Sequence, residues 1–475
     1  MHHKKVEDIK GMFRKAVLFL LLCVINVNFA EAENNNQGTR TVTIEEFLKV
    51  AIENDTVFEE ILIDELTLKY SKDLQLPAKD IILSVKGQYE SNITQETDDS
   101  QTTISLSKLF PYIGTDISAE YKTTPSYSAA EDSSEITLLI SQPIAKNAFG
   151  RATALLSKII GAEIDVTGYQ IVEAYEDYLA NIMIAYYNWY SAYENLKIGE
   201  SSYEQSIKLL KNIEERRRSN IALPIDVNKV RIQTLSKKEN LIALEENYEG
   251  ILNFIKQAMR YKGDDILEPQ DPFMYDKRDI RFEDDYERFV KTSRTYRILD
   301  LLEKKSSLEV KRDANSLLPS TNLLFGYVAE GEDIDIKNRE EMLYVGMSIV
   351  WPFPGQQERA QYETSKIIKQ KTVLANENKY IQLETDLRNL FLEIERERKL
   401  ISTADEKIVL AESILKDETI NYSYGKVTLN DFIDAVNRVD ENRFNKIIHS
   451  VQLKILMTEW MRLTDQLISR KDIKK

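Results

Sequence analysis

The apolar residues of this chain follow two periods, and each change of period marks where one kind of element gives way to another. From Gln356 to Tyr424, 69 residues pass without a glycine or proline. Within them Leu383, Leu387, Leu390, Ile394 and Ile401 recur at threes, fours and sevens, with Glu393, Glu395, Arg396, Glu397 and Arg398 between them. That is the spacing of a helix that buries one stripe against another helix. As one continuous helix the segment would reach roughly 100 Å. Residues 152–218 repeat the pattern with Leu, Ile and Tyr on the stripe, weakened only at Gly161, Gly168 and Gly199. With the proline-free tracts 225–268 and 355–475, four long helices are predicted. Tyr175, Tyr178, Tyr186, Tyr187, Tyr190 and Tyr193 sit mostly three or four apart and are expected to pack between helices.

Elsewhere the period falls to two, the signature of a strand with one apolar face. Ile81, Leu83, Val85 and Tyr89 alternate with Ser84, Lys86, Gln88 and Glu90. Five further runs match: Ile104 and Leu106; Ile117, Ala119 and Tyr121; Ile136, Leu138 and Ile140; Leu323, Phe325, Tyr327 and Ala329; Leu343, Val345, Met347, Ile349 and Trp351, although Leu324, Val328 and Val350 blur the polar face of the last two. In a soluble sandwich the apolar face would meet a second sheet. In an outer-membrane barrel it would meet lipid, with the polar face lining a wet lumen. The alternation fits both. Tyr89, Tyr121, Tyr327 and Trp351 fit either an aromatic girdle at a membrane interface or the rim of a soluble core.

The two halves resemble each other. Ser157-Lys158-Ile159-Ile160 follows Pro143 much as Ser365-Lys366-Ile367-Ile368 follows Pro352, and Leu76-Pro77 and Leu318-Pro319 each precede a strand. The chain is predicted to be an internal duplication: residues 33–262, a polar joining segment 263–285, and residues 286–475. The first half holds about one hairpin more, supplied by 102–108 and 114–122 around Phe110-Pro111-Tyr112-Ile113-Gly114. This repeat is far too long for a solenoid.

Composition removes several function classes. The sequence has 63 Lys or Arg against 78 Asp or Glu, a net charge of −15, so nucleic acid, itself anionic, is not an expected partner. Gly and Pro total only 25 of 475 residues, too few for a loop-rich or collagen-like chain. Residues 12–32, MFRKAVLFLLLCVINVNFAEA, have a basic start, a short apolar run and Ala30-Glu31-Ala32 where a signal peptidase cuts. Residues 1–32 are therefore expected to be an export signal, with Met12 an alternative start to Met1. Cleavage after Ala32 would leave a net charge of −17 and remove Cys23, the only cysteine. Lipidation of Cys23 is the alternative, against which Leu22 stands where lipoprotein signals need a small residue. Of three histidines only His449 would stay, and it is expected to face solvent or a helix neighbour. Without thiols and with one imidazole, His- or Cys-based metal sites and a Ser-His-Asp triad drop out. No GxxxxGK[ST] loop offers a nucleotide site. No cofactor, metal or catalysis is expected.

Four to six strands cannot close a barrel, since the smallest outer-membrane barrels need about eight, and an open edge in lipid leaves backbone groups unpaired. Three copies would supply twelve strands, or eighteen if the extra hairpin joins the wall. At this point the chain resembles the TolC-like outer-membrane efflux proteins. Thr43-Ile44-Glu45-Glu46-Phe47 with Ala51-Ile52-Glu53-Asn54 is similar to the family's short first helix. Residues 422–435, YSYGKVTLNDFIDA, resemble without gaps its second periplasmic helix-turn-helix tip, and Ser219-Asn220-Ile221-Ala222-Leu223-Pro224-Ile225-Asp226-Val227, ending in Arg231, is the first-half counterpart. The resemblance implies a mainly α fold with a β-barrel portion: long antiparallel coiled-coil helices and four to six membrane strands per protomer in a homotrimer. It implies an outer-membrane exit duct with a helical tube in the periplasm. Its partners would be outer-membrane lipid, a periplasmic adaptor (membrane fusion protein) and an inner-membrane transporter of RND or ABC type. A soluble periplasmic coiled-coil structural or adaptor protein is the alternative.

The tips can also be read from their residues. A helix of this length must stop at a residue that tolerates positive φ, which Gly425 does freely and Asn220 tolerably. Thr428 can cap the next helix, with Asp431 and Asp434 near its positive end on one face. The resemblance implies that Asp431 and Asp434 line a cation-preferring aperture. It also implies that Tyr422 and Asp226 hold the tips closed by hydrogen bonding. Asn220, Ile221, Pro224, Gly425, Lys426 and Thr428 would form the turns that an adaptor docks on. Val427 stands where some members have a basic latch residue, and Asn220 replaces the family's usual glycine. Arg216, Arg217 and Arg218 fit a helix C-terminus or an adaptor contact.

Overall fold

The computed structural model describes residues 39–94, 97–124, 133–263, 265–273, 280–331 and 340–468. The expected signal at 1–32, with Cys23, lies outside the described residues, as do 264 and 274–279 of the expected joining segment. In chain order the elements are β1 (Thr39–Val42), α1 (Ile44–Asn54), α2 (Thr56–Thr67), α3 (Ser71–Gln75), β2 (Ile81–Asn92), β3 (Thr97–Phe110), β4 (Thr115–Thr124), β5 (Ser133–Pro143), α4 (Arg151–Arg218), α5 (Pro224–Ala258), β6 (Ile266–Pro269), α6 (Phe282–Thr292), α7 (Arg294–Ser316), β7 (Ser320–Gly331), β8 (Glu340–Val350), α8 (Gln356–Ser423) and α9 (Leu429–Leu463). The four long helices are those the apolar stripe predicts. They come in two matched pairs, α4 and α8 of 68 residues, α5 and α9 of 35. Among the described residues no helix is long and apolar enough to cross a membrane.

The chain forms two compact units, one of residues up to Ile63, Ile171–Arg294 and Ile381 onward, the other of Asp64–Gln170 and Thr295–Tyr380. In the first unit the predicted tyrosine stripe of α4 is core. Tyr175, Tyr178, Tyr186, Tyr187 and Tyr190 are buried with Trp189, Phe47 and Phe58, while Tyr193 is half-buried. Removing a side chain of this size from water contributes ~1.5–3 kcal/mol, so this cluster fixes α1 against α4. The Tyr186 hydroxyl lies 2.8 Å from the carbonyl oxygens of both Val42 and Gln270 and shares its one proton between them. Those carbonyls flank a two-stranded parallel sheet of β1 and β6, which the sequence pattern did not announce. Four residues are too few to display a period. Thr43 caps α1, its Oγ1 accepting from Glu46 N at 3.0 Å.

Several charged groups in this unit are buried against partners. Arg294 lies between Glu176 and Asp465: its Nη2 is 2.9 Å from Asp465 Oδ1, and the same nitrogen pairs with Glu176. Glu176 also accepts from Ile468 N at 2.8 Å. Two carboxylates share one guanidinium, so the cluster holds an excess negative charge when both ionise. Burial pushes Glu176 up to about 7 and Asp465 above its ordinary value, Arg294 opposing both shifts. Asp440, on α9, pairs with Lys237 Nζ at 2.9 Å and accepts from Ser202. Glu397 pairs with Arg396 at 2.9 Å and lies 2.8 Å from His449 Nδ1, so His449 faces a helix neighbour, one of the two places expected.

In the second unit all six predicted strands form one antiparallel sheet, ordered β2-β3-β4-β5-β7-β8. The extra hairpin of the first half, β3–β4, lies inside it, between β2 and β5. The register puts Leu83, Leu106, Ala119, Leu138, Tyr327 and Leu343 in one row on one face. The next row toward the distal end on that face is Val85, Ile104, Tyr121, Ile136, Ala329 and Glu341. The opposite face carries Ser84, Ser105, Glu120, Thr137, Val328 and Met342, then Lys86, Thr103, Lys122, Glu135, Glu330 and Glu340. Within the strands the apolar face bears charge only at Asp98, Lys108 and Glu341. The apolar face is not covered: Leu83 is 65% exposed, Leu106 46%, Leu138 45% and Leu343 82%. Of the expected girdle, Tyr327 sits mid-strand, whereas Tyr89 near the end of β2 and Trp351 just after β8 are exposed. The turn between β3 and β4 closes as expected at Gly114, whose N–H donates to Phe110 O at 2.8 Å. That turn packs on Gly150, at φ 74°, where a Cβ would come within 2.4 Å of the Tyr112 backbone.

Candidate functional site

The two turns that join the long helices pack together in the first unit. Each long helix ends in the same hydrogen-bonded motif. At the first, Ile221 N donates to Arg216 O (2.8 Å) and Asn220 N to Arg217 O (3.0 Å); at the second, Lys426 N donates to Asn421 O (3.0 Å) and Gly425 N to Tyr422 O (3.1 Å). This is a Schellman closure, which needs a left-handed residue at its fifth position. Asn220 at φ 57° and Gly425 at φ 70° supply it. Both predicted helix stops are therefore in place, and asparagine serves where glycine is usual because its backbone visits that region more readily than other side-chain-bearing residues do.

The helices that follow start differently. Thr428 and Asp431 form a reciprocal capping box on α9: Thr428 Oγ1 accepts from Asp431 N at 3.3 Å, and Asp431 Oδ2 accepts from Thr428 N at 3.0 Å and from the Thr428 hydroxyl at 2.6 Å. These bonds hold the Asp431 carboxyl below its ordinary value. On α5 the N-cap is Leu223, which has no side-chain acceptor, so only the returning bond exists, Leu223 N donating to Asp226 Oδ2 at 3.1 Å. Pro224 takes the first helical position, where no N–H is needed.

A small core fixes one turn to the other. Ile213, Ala222, Val230 and Leu429 are buried together, with Tyr422 and Ile433 packed against them. The Tyr422 ring stacks on Phe432 (centroids 5.3 Å apart, planes at 14°), and the Arg216 guanidinium carbon lies 4.9 Å from the Tyr422 centroid. Burial pushes the Tyr422 hydroxyl up, Arg216 opposing and Asp226 reinforcing the shift. Tyr422 and Asp226 are thus in the same electrostatic neighbourhood, but among the described residues no hydrogen bond joins them. The first-turn carboxylate is engaged by its own helix start and the tyrosine by ring contacts. Lys229 Nζ and Asn430 Oδ1, at 3.4 Å, add a polar link between α5 and α9.

Asp434 is exposed and, among the described residues, without a partner; Asp431 is exposed but committed to its cap. The two predicted aperture carboxylates therefore differ in kind. Ile221, Pro224, Gly425, Lys426 and Thr428 are all exposed, Lys426 with its ammonium 5.7 Å from the Tyr424 ring centroid. Sequence reasoning passed over Leu223, Ile225 and Tyr424, which are also exposed, Tyr424 at 72%. The signal was available: apolar residues immediately beside a helix stop have no stripe to join. It also passed over the pairing of Arg216 with Tyr422, which only the fold brings together.

No protein-family model and no curated protein matches the sequence. Solved structures match over most of the chain. One is CusC, described with transmembrane channel formation (TM-score 0.68, 12% identity, covering 91% of this chain and 95% of that one). Another is the outer-membrane channel CmeC of Campylobacter jejuni (0.67, 14%, 94% and 95%). A third is the outer-membrane protein VceC of Vibrio cholerae (0.66, 12%, 89% and 95%). At these identities the likeness is one of fold: the chain has the TolC-like fold of long helices and an antiparallel sheet.

Proposed function

We propose that the chain is a protomer of a homotrimeric outer-membrane exit channel. Its sheet lies in the lipid and its long helices in the periplasm, and it passes substrates that an inner-membrane transporter of RND or ABC type delivers through a periplasmic adaptor. It catalyses no reaction, and the driving energy belongs to the transporter. One observation carries the reading: a six-stranded sheet whose apolar face is exposed along every strand while its other face is mainly polar, with Leu324, Val328, Met342 and Val350 as apolar exceptions on β7 and β8. A soluble periplasmic adaptor would have to leave that face in water, far beyond the few hundred Å2 of contiguous apolar surface usual on soluble proteins. The duplication reading, residues 33–262 and 286–475 about the segment 263–285, is supported by helix pairs of 68 and 35 residues in each half. The exposed Ile221, Leu223, Ile225 and Tyr424 beside Lys426 at the paired turns form a surface suited to an adaptor's helical hairpin. Asp431 and Asp434 would ring the aperture with six carboxylates.

The test is reconstitution. The purified full chain should need detergent, run as a heat-sensitive trimer and open cation-preferring conductance in a planar bilayer. A detergent-independent monomer without conductance would sink the reading.

A further inference from the structure

Resting on that reading, we propose that the β3–β4 hairpin is an integral part of the channel wall rather than a surface addition, so that three chains, with β2 of one copy against β8 of the next, close 18 strands.

The hairpin's place is the first ground. β3 pairs with β2 from Thr97 to Lys108, and β4 pairs with β5 from Asp116 to Thr124. Lifting the hairpin out of the wall would strip β2 and β5 of their partners in lipid, where backbone groups have no water to turn to. The second ground is the two edges. β2 has 12 residues and β8 has 11, as long as the interior strands, and each is paired on one side only. Neither contains a proline that would blunt it. Along one cross-strand row exposure rises from 45% at Leu138 and 46% at Leu106 to 65% at Leu83 and 82% at Leu343, as expected if the outer two await a lateral neighbour.

Direction is the third ground. Every pairing in the sheet is antiparallel and the strand number is even, so β2 and β8 run opposite ways. Their union between copies is therefore antiparallel too, with both apolar faces on one side, and the ring closes with no odd strand. Since barrel diameter grows roughly linearly with strand number, this wall would be about 1.5 times as wide as one built from four strands per chain. Passage would then be limited at the helix turns and not in the membrane.

The experiment uses the full chain with Cys23→Ser, which leaves no other cysteine. Because a closed wall is staggered, cysteine pairs are placed along the two edges over the full strand length, Ile82, Ser84, Lys86, Gln88 or Glu90 with Glu340, Met342, Tyr344, Gly346 or Ser348, and oxidised in outer membranes. At least one register should yield covalent dimer and trimer bands in place of monomer on denaturing gels. Spin labels at Leu106 and Ile117 should collide with dissolved oxygen, and labels at Ser105 and Ser118 with a water-soluble nickel reagent. A detergent-extracted trimer in which no register cross-links, or in which all four hairpin labels are equally accessible to nickel, overturns the inference and leaves the channel reading intact. A chain that never enters the membrane overturns both.

Discussion

The Arg216 guanidinium lies over the ring of Tyr422, 4.9 Å from its centroid, and so ties the last turn of α4 to the last turn of α8. Phe432 stacks on the same ring. Each long helix is held at its end by the other.

Breaking this contact should loosen the paired turns without unfolding the chain. A cation–π pair contributes about 0.5–2 kcal/mol depending on exposure, and the stacked ring about 0.5–1.5 kcal/mol more. Arg216→Gln and Tyr422→Leu should each raise single-channel conductance, and the double variant should add little beyond Tyr422→Leu because both act on one contact. Fully additive conductance changes would show that the two residues act separately.

Asp431 and Asp434 should separate by readout. Asp434 has no partner among the described residues, so Asp434→Asn should lower the cation-to-anion permeability ratio and leave thermal stability unchanged. Asp431→Ala should lower both, because it also removes the acceptor of the Thr428 cap. The sign of the pH effect follows from the downward shift. The folded pKa lies below the ordinary 3.8, so the cap's contribution is present above that ordinary value and is lost as pH falls through the depressed one. Bilayer recordings at pH 7 and pH 5 should therefore find the Asp431 contribution undiminished at the lower pH.

Much of this was legible in the sequence because its signals are long. A stripe sustained over 68 residues and alternation repeated in six strands leave no competing element type, and Asn220 and Gly425 mark helix stops through backbone chemistry alone. Partner choice is another matter. That β3–β4 lies inside the sheet depends on strand order, which alternation does not encode. The β1–β6 pair joins residues more than two hundred positions apart through strands of four residues. Asp431 was legible as both a cap and an aperture residue, and the structure gives it the cap. Asp226 was legible as a residue that holds the tip by hydrogen bonding, but not that its partner is the backbone N–H of Leu223, a residue whose own side chain cannot cap the helix.

The buried Arg294 cluster should make stability fall as pH rises. Glu176 titrates near 7 when folded and near its ordinary 4.5 when unfolded, so between these values the folded state holds the extra proton. Stability is greatest below about pH 4.5 from this group and is lost as pH rises through 7, by ~2–3 kcal/mol per protomer. Glu176→Gln keeps the shape without the charge. Its melting temperature should be flatter than wild type between pH 5 and pH 8 and higher at pH 8. Parallel curves would remove Glu176 as the origin.

Lys237 and Asp440 form a pair buried across α5 and α9, with Ser202 of α4 as the third contact. Lys237→Met should leave Asp440 charged and buried with only a hydroxyl, destabilising the chain by about 3–5 kcal/mol. Lys237→Met with Asp440→Leu should recover most of that, since the apolar pair leaves no buried charge. Denaturant unfolding of the detergent-solubilised protein measures both. A double variant no better than the single would mean that packing, not charge, governs this position.

Cation preference should outlast the aperture carboxylates. On the polar face of the sheet the register brings together Glu90, Asp99, Asp116, Glu120, Glu135, Glu330 and Glu340 against Lys86 and Lys122 alone. Glu135, Glu330 and Glu340 stand directly beside one another across three strands. Adjacent like charges in a sheet are unfavourable, and their cost is lowered by counter-cations drawn from the solution that bathes this face. If it lines the lumen, the wall itself concentrates cations, and the effect weakens as salt shortens the ~10 Å screening length found at 0.1 M. Asp431→Asn with Asp434→Asn should therefore reduce selectivity but leave a salt-sensitive remainder. Adding Glu135→Gln and Glu330→Gln should remove most of it. Complete loss of selectivity in the aperture variant alone would place the whole effect at the helix turns and leave the wall electrically silent.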